Sequence, residues 1–214
     1  MEVAILVFDR FTALDAIGPY EVFRSAPGVT VRFVGKERGP KRTDAGSLAV
    51  VADYALGELT SPDILVVPGG PGQTALMDDA EILDWVRQVH AGSRWTTSVC
   101  TGSLVLAAAG ILTGLRATSH WLALEILAEF GAQPTSERVV FEGKIVTAAG
   151  VSAGIDMALT VVAREFGDEV AQAIQLGIEY DPQPPFDSGS PAKAPASIVA
   201  RLRSRSRFIM TGEE

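Results

Sequence analysis

Cys100, the only cysteine of the chain, lies where a strand-like run ends and a helix-like run begins. Residues 95–99 (WTTSV) precede it, and TGS at 101–103 leads into LVLAAA at 104–109. This layout predicts a nucleophile elbow, a sharp strand-to-helix turn that places the side chain at the end of the helix where N–H groups are unpaired. A thiol there is expected to ionise easily. The alternative is a buried structural cysteine, because free cysteine is among the most buried residue types.

A carboxylate and a glycine turn are expected at the same edge of the sheet as Cys100. Asp15 follows the first predicted strand, and PGGPG at 68–72 follows another. An acid among apolar neighbours and near a thiolate tends to keep its proton, so Asp15 is a candidate acid and base. Alternatively, Asp15 caps the next helix. The N–H groups of Gly69 and Gly70 are expected to form an oxyanion-type site, although glycines also simply make tight turns.

Two histidines are available to pair with the thiol. His90 is predicted near a helix end, where its structural role is favoured by the helix dipole. His120, in ATSHW at 117–121, could approach Cys100 as a base or an orienting group, although spacing alone does not fix the distance. One cysteine and two distant histidines form no recognisable zinc site. GPGQTA at 70–75 matches a dinucleotide pattern, but the next strand has no acidic residue for a ribose, which argues against such a site.

The elements that would position these residues alternate between strand and helix. This alternation, with nearly continuous apolar strands, predicts an α/β fold whose mostly parallel sheet carries helices on both faces. Gly18 and Pro19 are expected to cap and begin the first helix. A single domain is expected over 1–187, followed by a C-terminal helical extension and tail over 188–214. The predicted strands cover 3–8, 31–34, 48–51, 63–67 and 95–99, with a hairpin over 139–147, and the predicted helices cover 18–23, 80–90, 104–109, 120–130, 155–166, 169–176 and 195–205.

Composition restricts the partners. The net charge of −8 over 214 residues argues against nucleic-acid binding, which depends mainly on cationic contacts to phosphates. The basic stretch of Arg201, Arg203, Arg205 and Arg207 is interpreted as a solvated face. One cysteine excludes an internal disulfide, and the longest apolar run, 104–112, is too short to span a bilayer. Since the amino terminus also has no features of a signal peptide, these observations favour a cytoplasmic protein without a membrane partner.

Four motifs together give the chain a resemblance to the ThiJ/PfpI superfamily over about residues 3–180. They are LVFD at 6–9 with LDAIGPYEVF at 14–23, VVPGGPG at 66–72, SVCTGS at 98–103 and ATSHW at 117–121. The resemblance implies a three-layer α/β sandwich with a flavodoxin-like sheet and a nucleophile elbow. It also suggests a homodimer.

Within the superfamily, the pattern is similar to isonitrile hydratases and to the sensor domains of AraC-type regulators. In the hydratases the functional residues are the elbow cysteine, the threonine after it and the aspartate after the first strand, which here are Cys100, Thr101 and Asp15. The usual acid after the first strand is glutamate, so the aspartate favours the hydratase or regulator branch. This implies thiolate attack on an isonitrile with proton transfer by Asp15 and no cofactor.

The remaining residues are expected to surround a small-molecule substrate. The candidates are Gly69, Gly70, Ile17, His120 and Trp121. Two other functions remain open: a stand-alone ligand sensor related to the regulators, and a redox-responsive or detoxifying cysteine protein.

Overall fold

A computed structural model describes residues 1–206 of the chain. Its strands are β1 (Glu2–Leu6), β2 (Thr30–Gly35), β3 (Gly39–Arg42), β4 (Ala49–Ala52), β5 (Tyr54–Ala55), β6 (Ile64–Val67), β7 (Trp95–Val99), β8 (Arg116–Ala117), β9 (Gln133–Pro134), β10 (Val139–Glu142) and β11 (Ile145–Ala148). Its α-helices are α1 (Ala13–Phe23), α2 (Gln73–Met77), α3 (Ala80–Gly92), α4 (Gly102–Ala108), α5 (Ala153–Phe166), α6 (Asp168–Gly177) and α7 (Ala196–Arg203), and two 3₁₀ helices cover Leu56–Glu58 and Leu124–Phe130.

The central sheet has the order β10-β11-β7-β6-β1-β2-β5. Every neighbouring pair is parallel except β10 and β11, which form the predicted hairpin. The five inner strands β2-β1-β6-β7-β11 follow the flavodoxin-like order, in which ligands bind at the carboxyl ends of the strands. Helix α5 packs against both α1 and α6, and α2, α3 and α4 pack on one another as a second group. The predicted α/β architecture with a mostly parallel sheet is therefore confirmed.

The first helix differs from its prediction. It begins at Ala13, so Gly18 and Pro19 lie inside it, not at its start. Both residues serve the contact between α1 and α5. A Cβ on Gly18 would lie 3.0 Å from Cγ1 of Ile155, and a Cβ on Gly154 would lie 3.1 Å from Cγ of Pro19. The early start moves Asp15 from a loop into the first turn of α1.

The predicted helix over 120–130 is also corrected. Its regular part is the 3₁₀ helix Leu124–Phe130, which ends at Gly131 with φ 77°. The preceding turn is held differently, because Nδ1 of His120 accepts a hydrogen bond from the N–H of Leu122 at 3.2 Å. Such a local side-chain bond competes with the helical pattern.

The outlying predictions have simpler outcomes. His90 lies in the last turn of α3, and its Nδ1 is 2.9 Å from Oγ1 of Thr96, which suits the structural role. The helix predicted at 195–205 is α7, and none of its residues is buried. Arg207 lies outside the described residues, and the division at residue 187 stays a prediction. No helix in residues 1–206 is long and apolar enough to cross a membrane.

The close contact between α1 and α5 gives a stability prediction. Gly154→Ala should destabilise the fold by about 1–3 kcal/mol, because its Cβ would also lie 2.9 Å from Cγ2 of Val99 in the core. The control is Gly92→Ala at the end of α3, where no atom lies within 4 Å of the added Cβ. Chemical denaturation should show a lower midpoint for the first variant only. Equal stability of both variants would contradict the tight contact.

Candidate active site

Cys100 lies at the turn between β7 and α4 in a backbone conformation that is rare outside glycine. Its φ is 58° and its side chain is completely buried. Its N–H donates to the carbonyl of Ala148 at 3.0 Å, and its own carbonyl accepts hydrogen bonds from Oγ of Ser103 and Oγ of Ser119, each at 3.1 Å. A strained backbone fixed by so many bonds is typical of a functional site. The turn has the strand-to-helix geometry expected of a nucleophile elbow.

The glycine turn after β6 packs directly against this elbow. A Cβ on Gly102 would lie 2.0 Å from the carbonyl oxygen of Val67, and a Cβ on Gly69 would lie 2.5 Å from the N of Thr101. Neither position has room for a side chain. The two loops therefore meet backbone to backbone, and this brings the acid and the thiol together.

Asp15 is fully buried and is held by the glycine turn. Its Oδ2 accepts a hydrogen bond from the N–H of Gly69 at 2.9 Å. The carbonyl of Gly69 in turn accepts from the N–H of Thr12, the N-cap residue of α1, at 2.9 Å. Asp15 therefore links α1 to the glycine turn instead of capping its own helix. Its other oxygen, Oδ1, is buried and has no hydrogen-bond partner of ordinary geometry within residues 1–206.

The surroundings of the acid–thiol pair keep the Cys100 thiol protonated and raise the pKa of Asp15 to near neutrality. Burial raises the pKa of Asp15 to about 7, while the Gly69 N–H and the Cys100 thiol act in the opposite direction and the charge of Asp44 adds to the rise. Burial also raises the pKa of Cys100 well above its usual value, and the charge of Asp15 adds to this rise. The expectation of an easily ionised thiol is therefore wrong for this closed site. Desolvation raises the pKa of Cys100 more than the nearby N–H groups at the start of α4 lower it, so the thiol is neutral at rest.

The oxyanion-type site predicted from the glycine turn is also not present in this form. The N–H of Gly69 is bonded to Asp15, and the N–H of Gly70 donates to Oγ1 of Thr101 at 3.0 Å. Thr101 instead supports the thiol, because its backbone N–H and its hydroxyl both lower the pKa of Cys100. The three predicted catalytic residues, Cys100, Asp15 and Thr101, are thus brought together, and the glycines position two of them.

His120 and Trp121 lie beside the elbow and line a cavity of about 460 Å³. A Cβ on Gly150 would lie 2.5 Å from Cδ2 of His120, so the imidazole packs against the backbone after β11. The side chains of Asp15 and Thr101 both contact the thiol and shift the pKa of Cys100. We call this space the His120 cavity. The residues that line it are Thr118, Ser119, His120, Trp121, Leu124, Ser136, Glu137, Arg138, Ala149, Gly150, Val151, Gly189, Ser190 and Pro191.

Sequence reasoning missed several of these residues. Ser119 donates a hydrogen bond to the Cys100 carbonyl. Ser190 lines the cavity although it lies 90 residues after Cys100 in the chain, a contact that no local pattern could indicate. Ile17, a predicted substrate residue, is half-buried on α1 and does not line the cavity. In the described part of the chain, no group of three or more His, Cys, Asp or Glu side chains could hold a metal ion.

Comparisons with known proteins show which proteins this chain is similar to. The model of the DJ-1/PfpI family matches residues 1–164. Isonitrile hydratase from Pseudomonas putida is 43% identical over 205 residues, which are 96% of this chain and 90% of that protein. The HTH-type transcriptional regulator CdhR of Pseudomonas aeruginosa is 34% identical over 135 residues, which span 62% of this chain and 40% of the regulator.

The chain is also similar to proteins of known structure. A ThiJ/PfpI family protein from Pseudomonas syringae is similar with a TM-score of 0.92 and 41% identity, covering 95% of this chain and 85% of that one. DJ-1beta of Drosophila melanogaster has a TM-score of 0.76 at 21% identity, covering 83% of this chain and 97% of that one, a likeness of fold alone.

Proposed function

Because the chain belongs to the DJ-1/PfpI family, we propose that its buried acid–thiol pair hydrates an isonitrile to an N-substituted formamide. The observation that carries the proposal is the Asp15 carboxyl group, fully buried beside the Cys100 thiol and held by the Gly69 N–H. A carboxyl group whose pKa is about 7 can both give and take a proton near neutral pH. The similarity to an isonitrile hydratase over nearly the whole chain supports the choice of substrate.

In the first half of the proposed reaction, the thiol proton moves to the Asp15 carboxylate. The Cys100 sulfur attacks the terminal carbon of the isonitrile, and Asp15 delivers the proton to that carbon as the S–C bond forms. The product is a thioimidate, R–N=CH–S–Cys. The N–H and hydroxyl of Thr101 stabilise the sulfur while it carries negative charge, in line with their lowering of the pKa of Cys100.

In the second half, the Asp15 carboxylate takes a proton from water as the water oxygen adds to the thioimidate carbon, and Asp15 then passes this proton to the nitrogen. Collapse of the tetrahedral adduct forms the C=O bond and breaks the C–S bond. The hydroxyl proton of the adduct returns to the sulfur. The sum is one isonitrile and one water converted to one N-substituted formamide, with the thiol and the carboxylate regenerated.

The direct test is incubation of the purified protein with cyclohexyl isonitrile, with the formyl proton of the product followed by NMR. Formamide production above the rate of Cys100→Ser is expected. If wild type and variant are equally inactive, the proposed function is wrong. A stand-alone ligand sensor, the alternative suggested by the likeness to CdhR, would bind small molecules without turnover.

We further propose that His120 assists substrate binding rather than proton transfer. His120→Ala should raise KM and lower kcat less than about tenfold, because the route already has a nucleophile and an acid. Steady-state kinetics of His120→Ala and Asp15→Asn would separate the roles. Loss of kcat in a folded His120→Ala, with activity kept in Asp15→Asn, would indicate a Cys100–His120 pair instead.

The remaining expectations on partners also stand as proposals. We expect a cytoplasmic homodimer. Leu14 is 41% exposed and Leu48 is 48% exposed, so both offer apolar surface to a second copy, and light scattering would give the mass in solution. We expect no nucleic-acid partner, since the net charge is −8. Retardation of duplex DNA near physiological salt would contradict this.

A further inference from the structure

We propose, on the basis of the hydratase function above, that Ser119 is a positioning residue for the reacting thiol. Its hydroxyl completes a set of hydrogen bonds through which strand β11 holds both backbone polar groups of Cys100. We call this set the β11 clamp; it runs from Cys100 directly to Ala148 and, by way of Ser119, to Thr147. The clamp keeps the elbow in its left-handed conformation while the sulfur attacks the substrate carbon.

The backbone of Cys100 needs such support because its conformation is unfavourable in itself. Its φ is 58°, in the region where the Cβ of an ordinary residue crowds the following carbonyl oxygen. A residue in this region persists only where the surrounding structure holds it. The direction of the Cα–Cβ bond follows the backbone, so relaxation of the elbow would turn the sulfur away from Asp15.

One half of the β11 clamp consists of backbone alone. The N–H of Cys100 donates to the carbonyl oxygens of Ala148 at 3.0 Å and Ala149 at 3.2 Å. Ala148 is the last residue of β11 and lies opposite Val99, the last residue of β7, in the parallel register. The bond to Ala148 therefore extends the pairing of the two strands by one residue. No substitution of a side chain can remove it.

The other half of the clamp holds the carbonyl of Cys100 and depends on side chains. Oγ of Ser119, a buried residue, donates to this carbonyl at 3.1 Å. The N–H of the neighbouring Thr118 donates to Oγ1 of Thr147, a buried residue of β11, at 2.9 Å. Ser119 therefore lies on a segment that is itself fixed to β11. The same strand thus holds the N–H and the carbonyl of the strained residue.

Ser103 offers a comparison within the same molecule. It is also buried, and its Oγ donates to the same carbonyl of Cys100 at 3.1 Å. Ser103 belongs to the first turn of α4, three residues after Cys100, so it would move together with a relaxed elbow. Ser119 follows Cys100 by 19 residues and lies on a different segment. Of these two bonds, the one from Ser119 therefore fixes the carbonyl relative to the sheet.

The test compares Ser119→Ala with Ser103→Ala in the hydration of cyclohexyl isonitrile. Ser119→Ala should lower kcat by about tenfold and change KM by less than about twofold, because it misplaces the sulfur without removing a reacting group. Ser103→Ala should lower kcat by about threefold at most. Ser93→Ala is the control for loss of a buried serine hydroxyl, since Ser93 contacts Thr96 at the other end of β7, and it should keep the wild-type kcat.

In folded variants, a kcat of Ser119→Ala equal to that of Ser103→Ala would overturn the proposal. A general loss of stability would act on both variants alike, because each loses one hydroxyl bond to the same carbonyl. A rise in KM with an unchanged kcat would also overturn it, because this would place Ser119 in substrate binding and not in positioning of the thiol.

Alkylation by iodoacetamide measures the clamp without turnover, since Cys100 is the only cysteine. Its side chain is completely buried, so a looser elbow should expose the thiol more often. At pH 8, Ser119→Ala should be alkylated about fivefold faster than Ser103→Ala and Ser93→Ala. If wild type hydrates no isonitrile, the proposed function fails and this rate alone decides the role of Ser119. Equal rates in the three folded variants would then overturn the proposal.

If Ser119→Ala does not fold, Thr147→Val breaks the clamp at its other end. Valine has nearly the shape of threonine but no hydroxyl to accept the Thr118 N–H. Thr147→Ser keeps this hydroxyl and is the conservative partner of the pair. Thr147→Val should show the lower kcat, or the faster alkylation where there is no turnover, and Thr147→Ser should be closer to wild type. Equal values in this folded pair would overturn the proposal.

Discussion

Cys100→Ala and Asp15→Asn should each lower formamide production from an isonitrile by at least about 10³-fold, and the double variant should be hardly worse than either. The reason is that the two groups handle one proton. Without Cys100 no S–C bond forms, and without the Asp15 carboxyl group the thiol proton has no route to the substrate carbon. Residues that act as a unit have non-additive effects.

Single-turnover assays with product detection by NMR would measure these losses, with circular dichroism as a check on folding. Asp15→Glu keeps the acid but moves it by one methylene, so it should retain partial activity. Thr12→Ser is a useful second control, because it keeps both the backbone N–H that bonds the glycine turn and the hydroxyl that donates to Asp44. Multiplied losses in the double variant would show that the two residues act independently and would refute the shared proton.

Asp15→Asn should also make the protein more stable at alkaline pH, although it abolishes activity. The folded pKa of Asp15, about 7, lies above the value of 3.8 for a free aspartate. Well below pH 3.8, the carboxyl group is protonated in both the folded and the unfolded state and adds no penalty. As the pH rises to 7, only the unfolded state releases the proton freely, so the free energy of unfolding falls. The loss approaches about 4 kcal/mol as an upper bound and becomes constant only well above pH 7.

Urea denaturation of wild type and Asp15→Asn at pH 4, 6 and 8 would measure this. As the pH rises, the free energy of unfolding of wild type should fall relative to that of Asp15→Asn. Cys100→Ala is the matched control: burial is the main cause of the raised pKa of Asp15, so this variant should keep the wild-type pH dependence. A pH-independent difference between wild type and Asp15→Asn would mean that Asp15 is not held near neutrality by the fold.

Local sequence patterns predict the fold and the three residues that meet at the candidate active site. The strand–turn–helix pattern around Cys100 predicts the elbow that the structure contains, because β7 runs from Trp95 to Val99 and α4 starts at Gly102. The alternation of elements predicts the parallel sheet, since parallel strands need helical crossovers. Cys100, Asp15 and Thr101 then converge because their segments end at one edge of that sheet.

Properties that depend on the tertiary environment could not be predicted from the sequence. The strand-to-helix turn suggests an acidic thiol, but the sign of the shift depends on burial, and Cys100 has no exposed surface. Gly18 and Pro19 have the residue types of a helix start, yet both lie inside α1 and contact α5, which is more than 130 residues away in the chain. The sequence does not indicate that the N–H groups of Gly69 and Gly70 are already bonded, because their acceptors, Asp15 and Thr101, lie in other segments.

The backbone contact between the glycine turn and the elbow has a consequence for how this enzyme could diversify. Gly69 and Gly102 meet neighbouring backbone atoms with no room for a Cβ, so substitutions at either position would separate the acid from the thiol. The wall of the His120 cavity is less restricted at Leu124 and Val151, which line it with side chains, whereas a Cβ on Gly150 would lie 2.5 Å from Cδ2 of His120. Libraries should therefore leave the two glycines unchanged and vary positions such as Leu124 and Val151, which lie outside the backbone contact that joins the acid and the thiol.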